Sequence, residues 1–157
     1  MKTRVVYDSL YGNTKAIAEA IGQGIAGNVK VLNVKDVKIS ELESLDLLIV
    51  GSPTHAGRPS KATKTFLNSL PDNVLKNIPV TAFDTGISSE GQGFFMRVVI
   101  NFFGYAAKHI LNNLKEKGGT VVSKPKGFIV KGKEGPLKEG EFNRATQWAK
   151  EISQKLN

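Results

Sequence analysis

Six consecutive residues near the N-terminus combine hydroxyl groups, glycine and exposed backbone in a pattern suited to binding an anion. They are Ser9, Leu10, Tyr11, Gly12, Asn13 and Thr14. They separate a β-branched apolar run from a segment of helical periodicity, so unpaired N–H groups and the positive end of a helix dipole should meet there. The loop contains no lysine and does not match the GxxxxGK[ST] pattern of nucleoside triphosphate sites, which favours a single phosphate monoester. The alternative is a simple strand-to-helix turn in which glycine and threonine act only as caps.

Two further loops of similar composition follow later apolar runs. The first covers residues 52–60 and the second covers residues 84–93. In an open parallel sheet, ligands bind at the carboxyl ends of the strands, where the strand order reverses. Because each of the three loops follows a predicted strand, we expect all of them to meet at this one edge of the sheet.

The elements that position these loops alternate regularly between strand and helix. Strands are predicted at residues 3–7, 29–34, 47–50 and 80–83, and two pieces at 120–122 and 128–130 form a kinked edge strand. Helical spacing predicts four helices. The first covers residues 17–25, the second begins after Ser60, its N-cap, and the third covers residues 99–114. The apolar face of the last helix runs from Phe142 to Leu156. The alternation predicts an α/β fold, a three-layer doubly wound parallel sheet, with residues 1–157 as a single domain.

The composition limits the chemistry that the chain can perform. The 157 residues carry a net charge of +8 and include no cysteine and two histidines. Thiol catalysis and thiolate metal sites are therefore excluded, and a histidine-built metal site is not expected. We predict a cytoplasmic protein, since no apolar run approaches the ~20 residues of a membrane span and the N-terminal residues lack the pattern of a signal peptide. The positive charge should speed association with anionic partners.

The three loops, taken in order, resemble the flavin-binding loops of the flavodoxins. The first is similar to that family's phosphate loop, a Ser/Thr-x-x-Gly-Asn-Thr pattern directly after the first strand. Gly51-Ser52-Pro53-Thr54 looks like its second flavin loop, and Asp84-Thr85-Gly86 stands where its third begins. The resemblance implies a five-stranded sheet of order 2-1-3-4-5, with flavin mononucleotide (FMN) between strands one and three.

The resemblance also implies which residues contact the cofactor. Residues 9–14 would hold the phosphate, and two sets of residues would flank the isoalloxazine ring. The second loop would supply Pro53, Thr54, His55, Ala56, Gly57 and Arg58, and the third would supply Asp84, Thr85, Gly86 and Gly91.

In the flavodoxins the chemistry belongs to FMN, and the protein tunes it. One-electron transfer needs no acid, base or nucleophile, so we assign neither a catalytic residue nor a metal. In that family a backbone carbonyl near a loop glycine turns to accept a hydrogen bond from the reduced flavin. Gly57 is the candidate here, because a residue without Cβ reorients its peptide at low steric cost. The alternative is that Gly57 only serves the turn before Pro59.

The sequence departs from the family pattern in its aromatic residues and in its charge. Flavodoxins place aromatic side chains on both sides of the ring, whereas here Tyr11 and His55 are the candidate neighbours and Trp148 has core spacing. Familiar flavodoxins are acidic, but basic residues lie in or near the proposed loops here: Arg58, Lys61, Lys64 and Arg97. Because positive charge favours the anionic form of a nearby group, we expect a less negative potential for the reduction that makes FMN anionic.

Three functions are compatible with these residues. An electron carrier that docks on acidic redox proteins agrees best with the resemblance and the positive charge. The alternative is an FMN-dependent oxidoreductase of the NAD(P)H:quinone reductase or protoporphyrinogen oxidase type, for which the sparse aromatic residues leave room over the ring. Nucleic-acid binding is not expected, because the six lysines between positions 115 and 133 accompany neither a recognition-helix motif nor stacking aromatics.

Overall fold

The computed structural model describes residues 1–87 and 106–157. The strands are β1 (Lys2–Tyr7), β2 (Asn28–Asn33), β3 (Leu47–His55), β4 (Arg58–Pro59), β5 (Pro79–Ile87), β6 (Thr120–Val121) and β7 (Lys126–Val130). The helices are α1 (Asn13–Gly24), α2 (Lys61–Ser69), α3 (Ala106–Glu116) and α4 (Glu141–Leu156), and a short 3-10 helix covers Ile39–Leu42. The predicted alternation of strand and helix is confirmed for the described residues; residues 88–93 of the predicted third loop and 99–105 of the predicted third helix lie outside them. No helix in the described ranges is both long and apolar enough to cross a membrane.

The sheet is parallel, in the order β2-β1-β3-β5, and both β6 and β7 lie on the outer side of β5. β6 pairs with the start of β5 and β7 with its end, so together they occupy one edge position, in agreement with the predicted kinked edge strand. With the two-residue β4 set aside, this is the predicted order 2-1-3-4-5.

Two hydrophobic cores lie on opposite faces of the sheet. Successive side chains of a strand point to opposite faces, so Val5 packs in the core with α1 and α4, whereas Val6 packs in the core with α2 and α3. Trp148 of α4 is buried against Phe128, with ring centroids 6.1 Å apart, which confirms that this tryptophan is a packing residue.

One predicted core residue of α4 lies outside the core. Phe142 is 51% exposed, whereas its neighbour Glu141 is buried. The carboxylate of Glu141 accepts the backbone N–H of Ile129 at 2.6 Å. A polar contact with the edge strand therefore occupies the inward position in the first turn of α4, and the aromatic side chain points outward.

β3 and β5 extend further than the sequence predicted. The predicted ends were Val50 and Phe83, with loops beyond them, but the strands run to His55 and Ile87. Their neighbours provide the reason, because β3 and β5 remain paired as far as Pro53 with Thr85, and β5 and β7 as far as Ile87 with Val130. Polar residues and a proline do not signal such pairing in a single sequence.

Candidate functional site

The described parts of the three predicted loops meet at a cleft of about 350 Å³ beyond the carboxyl ends of β1, β3 and β5. Nine of the predicted site residues line it: Ser9, Tyr11, Asn13, Thr14, Thr54, His55, Ala56, Thr85 and Gly86. This volume lies within the range of about 300–1,000 Å³ that is typical of small-molecule and cofactor sites. The structure thus brings together residues more than 70 positions apart in the chain.

The first loop ends in a helix terminus that no side chain caps. Gly12 is the N-cap of α1, with φ of 92°, a left-handed conformation that glycine adopts at low cost. The Ser9 hydroxyl accepts the Gly12 N–H at 3.0 Å, which holds the turn together. The first-turn N–H groups of α1 lack intrahelical partners, as at every helix start, and together with the helix dipole they form a site for an anion.

Two hydrogen bonds tie the first loop to other parts of the cleft. The hydroxyls of Thr14 and Thr85 lie 2.7 Å apart and are buried, which joins α1 to β5. The Asn13 side-chain amide donates to the backbone carbonyl of Glu134 at 3.1 Å, which joins the same loop to the segment after β7. Hydrogen bonds therefore hold the first loop to the cleft wall on two sides.

The second predicted loop is a β-hairpin. His55 of β3 pairs with Arg58 of β4 across a two-residue turn. Both turn residues have positive φ, 48° at Ala56 and 74° at Gly57, the arrangement of a type I′ turn. Alanine is strained in this region, at a cost of about 1–2 kcal/mol, so Ala56 adopts an unfavourable conformation next to the cleft.

A buried polar network anchors the base of this hairpin to the first loop. The Ser60 hydroxyl donates to the Asp8 carboxylate at 2.6 Å and accepts the Thr63 N–H as the N-cap of α2, which confirms the predicted cap. The backbone N–H of Ser60 donates to the Ser52 hydroxyl at 2.9 Å. Since Asp8 directly precedes the first loop, the hairpin and that loop are held in a fixed relation.

Asp84 lies behind the cleft rather than in it. Its side chain is 1% exposed, and Oδ2 accepts the backbone N–H of Ala107 at 2.9 Å. Burial raises the pKa of Asp84 to about 7, although the Ala107 N–H and the Thr54 hydroxyl act in the opposite direction. The third loop therefore contributes Thr85 and Gly86 to the cleft wall, with an ionisable group beneath them.

Several predicted site residues do not line the cleft, and three residues that do were not predicted. Leu10 is 59% exposed, and Gly12, Pro53, Gly57, Arg58 and Asp84 are not part of the lining. Gly91 and Arg97 lie outside the described residues. The unpredicted lining residues are Ile87, Val130 and Lys133.

The predicted strand order could have identified these three residues, because it places the end of the edge strand beside the end of β5. Ile87 pairs with Val130 at the ends of β5 and β7, so the turn that follows the edge strand reaches the cleft and brings Lys133 with it. The sequence placed Lys133 only in a cluster of lysines around the last strand.

The residues present fit FMN. The uncapped start of α1 suits a phosphate, and Lys133 adds positive charge. The Thr54 hydroxyl is buried beside the cleft and makes no well-formed hydrogen bond among residues 1–87 and 106–157, although it lies near enough to the Asp84 carboxyl to lower its pKa; a polar group so weakly satisfied is available to a ligand. Tyr11, Ile87 and Val130 supply apolar surface for a flat ring.

Comparisons with known proteins agree with this geometry. The sequence model of the family described as Flavodoxin matches residues 5–148. The chain belongs to the flavodoxin family. A curated flavodoxin from Clostridium saccharobutylicum is 26% identical to it and aligns over 99% of this chain and 98% of that protein.

Solved flavodoxin structures share the fold. A flavodoxin from the domain Archaea has a TM-score of 0.73 and 26% identity, with 99% of each chain covered. The oxidised flavodoxin 2 from Bacillus cereus has a TM-score of 0.74 and 22% identity, also over 99% of each chain. The protein is thus an FMN-binding electron-transfer flavodoxin, and the family favours the electron carrier over the oxidoreductase alternative.

Proposed function

We propose that this flavodoxin holds FMN in the described cleft, with the phosphate at the start of α1 and the ring between the β3–β4 hairpin and the end of β5. The single observation that carries this placement is the convergence of an uncapped helix start with Thr54, His55 and Thr85 around one cleft. When bound, FMN supplies the one-electron chemistry. We also propose that residues 1–157 form a single domain, because one sheet runs through both described ranges.

In this placement each loop has a distinct task. The N–H groups of the first turn of α1 and the Ser9 and Thr14 hydroxyls donate to the phosphate. Tyr11 and His55 flank the ring, and the strained turn at Ala56 and Gly57 presents its backbone to the ring edge. The Gly57 peptide stays the predicted partner of the reduced flavin.

Two glycines provide a matched test of the phosphate position. Gly12 and Gly140 are the N-caps of α1 and α4, with φ of 92° and 86°, and neither has a heavy atom within 4 Å of an added Cβ. Alanine at either position should therefore cause similar backbone strain, costing about 1–2 kcal/mol of stability. Only Gly12→Ala should disturb the phosphate.

The measurement is a fluorescence titration of the flavin-free protein with FMN, alongside urea unfolding of each variant. We expect Gly12→Ala to weaken FMN binding at least tenfold, which corresponds to about 1.4 kcal/mol, and Gly140→Ala to change it by less than twofold. Equal effects of the two substitutions on FMN affinity would contradict the placement.

We further propose that the redox partners of this flavodoxin are acidic proteins. The net charge is +8, and Lys133 lines the cleft while Arg58, Lys64 and His109 line a groove of about 250 Å³ next to the hairpin. Within the described ranges, neither Arg58 nor Lys133 forms a hydrogen bond or ion pair with an acidic side chain. The positive surface beside the cleft is therefore available to carboxylates of a partner. The cytoplasmic location stays a prediction.

Stopped-flow reduction by an acidic ferredoxin tests the sign of the partner. The second-order rate should fall steeply as the salt concentration increases, because salt screens attraction between opposite charges. The triple variant Arg58→Gln, Lys64→Gln, Lys133→Gln should show a weaker salt dependence. A rate that rises with salt in the unaltered protein would contradict an acidic partner.

A further inference from the structure

Asp84 is a buried carboxylate with few hydrogen-bond partners. Oδ2 accepts the Ala107 N–H, whereas Oδ1 makes no well-formed hydrogen bond among residues 1–87 and 106–157, although the nearby Thr54 hydroxyl lowers the pKa of the carboxyl. A Cβ added at Gly127 of β7 would lie 3.2 Å from Oδ1, so only a residue without a side chain leaves this atom its space. A buried carboxylate with so few donors is costly when charged and favours binding a proton.

Asp84 also directly precedes, in the sequence, two residues of the proposed flavin site. The next two residues, Thr85 and Gly86, line the cleft, and Thr85 bonds to Thr14 of the phosphate loop. Asp84 also lines a cavity of about 450 Å³ that shares Gly86 and Ile87 with the cleft wall. A charge in the cleft is therefore close enough to act on Asp84.

No cation in the described ranges neutralises Asp84. β3 places the uncharged Ser52 beside it in register and Thr54 nearby, and α1 contributes the Thr14 hydroxyl. Beside the other contacts of Asp84, the ionisable side chains are Lys126 next to Gly127 of β7, Lys108 and His109 after Ala107 of α3, and Lys138, Glu141 and Arg144 on the cavity wall. None of these makes an ion pair or hydrogen bond with Asp84 within the described residues.

Glu141, the other acidic residue that lines the cavity, has a lowered pKa, in contrast to Asp84. Although burial alone would raise its pKa, hydrogen bonds from Arg144 and the Ile129 N–H outweigh that effect and hold the pKa below its ordinary value. Arg144 is itself committed to Glu141 and lies over the Phe128 ring, 4.7 Å from its centroid. Near neutral pH Glu141 is therefore ionised, whereas Asp84 can exchange its proton.

We propose that Asp84 binds one proton when the electron that makes FMN anionic enters the cleft, and releases it when that electron leaves. The inference rests on the proposed placement of FMN. A donor protein loses one electron, the cofactor gains it, and a solvent proton converts the Asp84 carboxylate to a carboxylic acid with a new O–H bond. In that reduction the proton on Asp84 offsets the charge of the electron, so the charge of the site stays constant. Asp84 does not touch the cofactor in this scheme and acts on it through its charge.

The pH dependence of the flavin potentials tests the inference. Asp84→Asn keeps the shape of the side chain and removes the titration, and Glu116→Gln removes an exposed carboxylate at the far end of α3 as the control. Between pH 6 and 9 the potential of the anion-forming reduction should depend on pH more steeply in the unaltered protein and in Glu116→Gln than in Asp84→Asn. The difference in slope from Asp84→Asn should be no larger than about 59 mV per tenfold change in proton concentration, the limit for one proton taken up with one electron. Protonation of the flavin itself is common to all three proteins and cancels in the comparison.

Equal slopes in the three flavin-loaded proteins would overturn the role of Asp84 while leaving the FMN placement intact. Failure of the unaltered protein to bind FMN would instead remove the placement. An infrared difference spectrum of the unaltered protein, reduced minus oxidised, provides a direct second readout. We expect a new carboxylic acid C=O band on reduction that is missing in Asp84→Asn. Without such a band in the unaltered protein the inference is wrong, even if Asp84→Asn fails to fold or to retain FMN.

Discussion

Replacing Asp84 with asparagine should make the stability of the flavin-free protein less dependent on pH. The pKa of Asp84 rises from an ordinary value of 3.8 to about 7 on folding. A group whose pKa is raised in the folded state stabilises the fold below its unfolded pKa. That contribution is lost as the pH rises through the folded pKa.

The magnitude follows from the size of this shift. Each pKa unit corresponds to about 1.36 kcal/mol, so the shift of about three units changes the free energy of unfolding by on the order of 4 kcal/mol between pH 4 and pH 7. At pH 4 Asp84 is neutral, and Asp84→Asn should match the unaltered protein closely. At pH 8 the variant should be more stable by up to about 4 kcal/mol, because it no longer buries a charge.

Urea unfolding followed by circular dichroism at constant ionic strength, from pH 4.5 to 8.5, measures this difference. Glu116→Gln serves as the control, since its carboxylate is exposed at the end of α3, and its curve should run parallel to that of the unaltered protein. A constant difference between Asp84→Asn and the unaltered protein across the whole range would refute the reasoning. It would mean that Asp84 titrates at the same pH in the folded and unfolded states.

Three further substitutions probe the cleft. Thr14→Val removes one partner of the buried Thr14–Thr85 hydrogen bond, and we expect a loss of about 1–3 kcal/mol in unfolding free energy. A double-mutant cycle with Thr85→Val should recover part of that loss as coupling; strict additivity would argue against the bond. Lys133→Gln should make the potential of the anion-forming reduction more negative, since it removes a positive charge at the cleft, whereas the exposed Lys150→Gln on α4 should not. Arg58→Ala should shift the same potential in the same direction but by less, because Arg58 lies outside the cleft lining, and an unchanged or raised potential would refute this role.

The local signals in the sequence were sufficient to predict the fold and the first loop. A strand, a glycine-containing turn and a helix are contiguous in the chain, so the anion site at the start of α1 depends only on neighbouring residues. The two core faces likewise follow from strand alternation and helical spacing, which local sequence records directly.

The details that the sequence did not predict all depend on contacts between distant residues. The hairpin at 55–58 forms because β3 continues beside β5, and Lys133 reaches the cleft because β7 pairs with the end of β5. The burial of Asp84 behind the cleft depends on Gly127 of β7 and Ala107 of α3. A short polar motif can name residues of a loop, but it does not tell which of them face the ligand.

The most direct test of the central claim compares FMN with riboflavin, which has the same ring system but no phosphate. If the start of α1 holds the phosphate, FMN should bind the flavin-free protein at least tenfold more tightly, because charge-assisted hydrogen bonds contribute about 1.5–3 kcal/mol each. Equal affinities for the two flavins would contradict the placement of the phosphate at residues 9–14. The start of α1 would then not be the phosphate site.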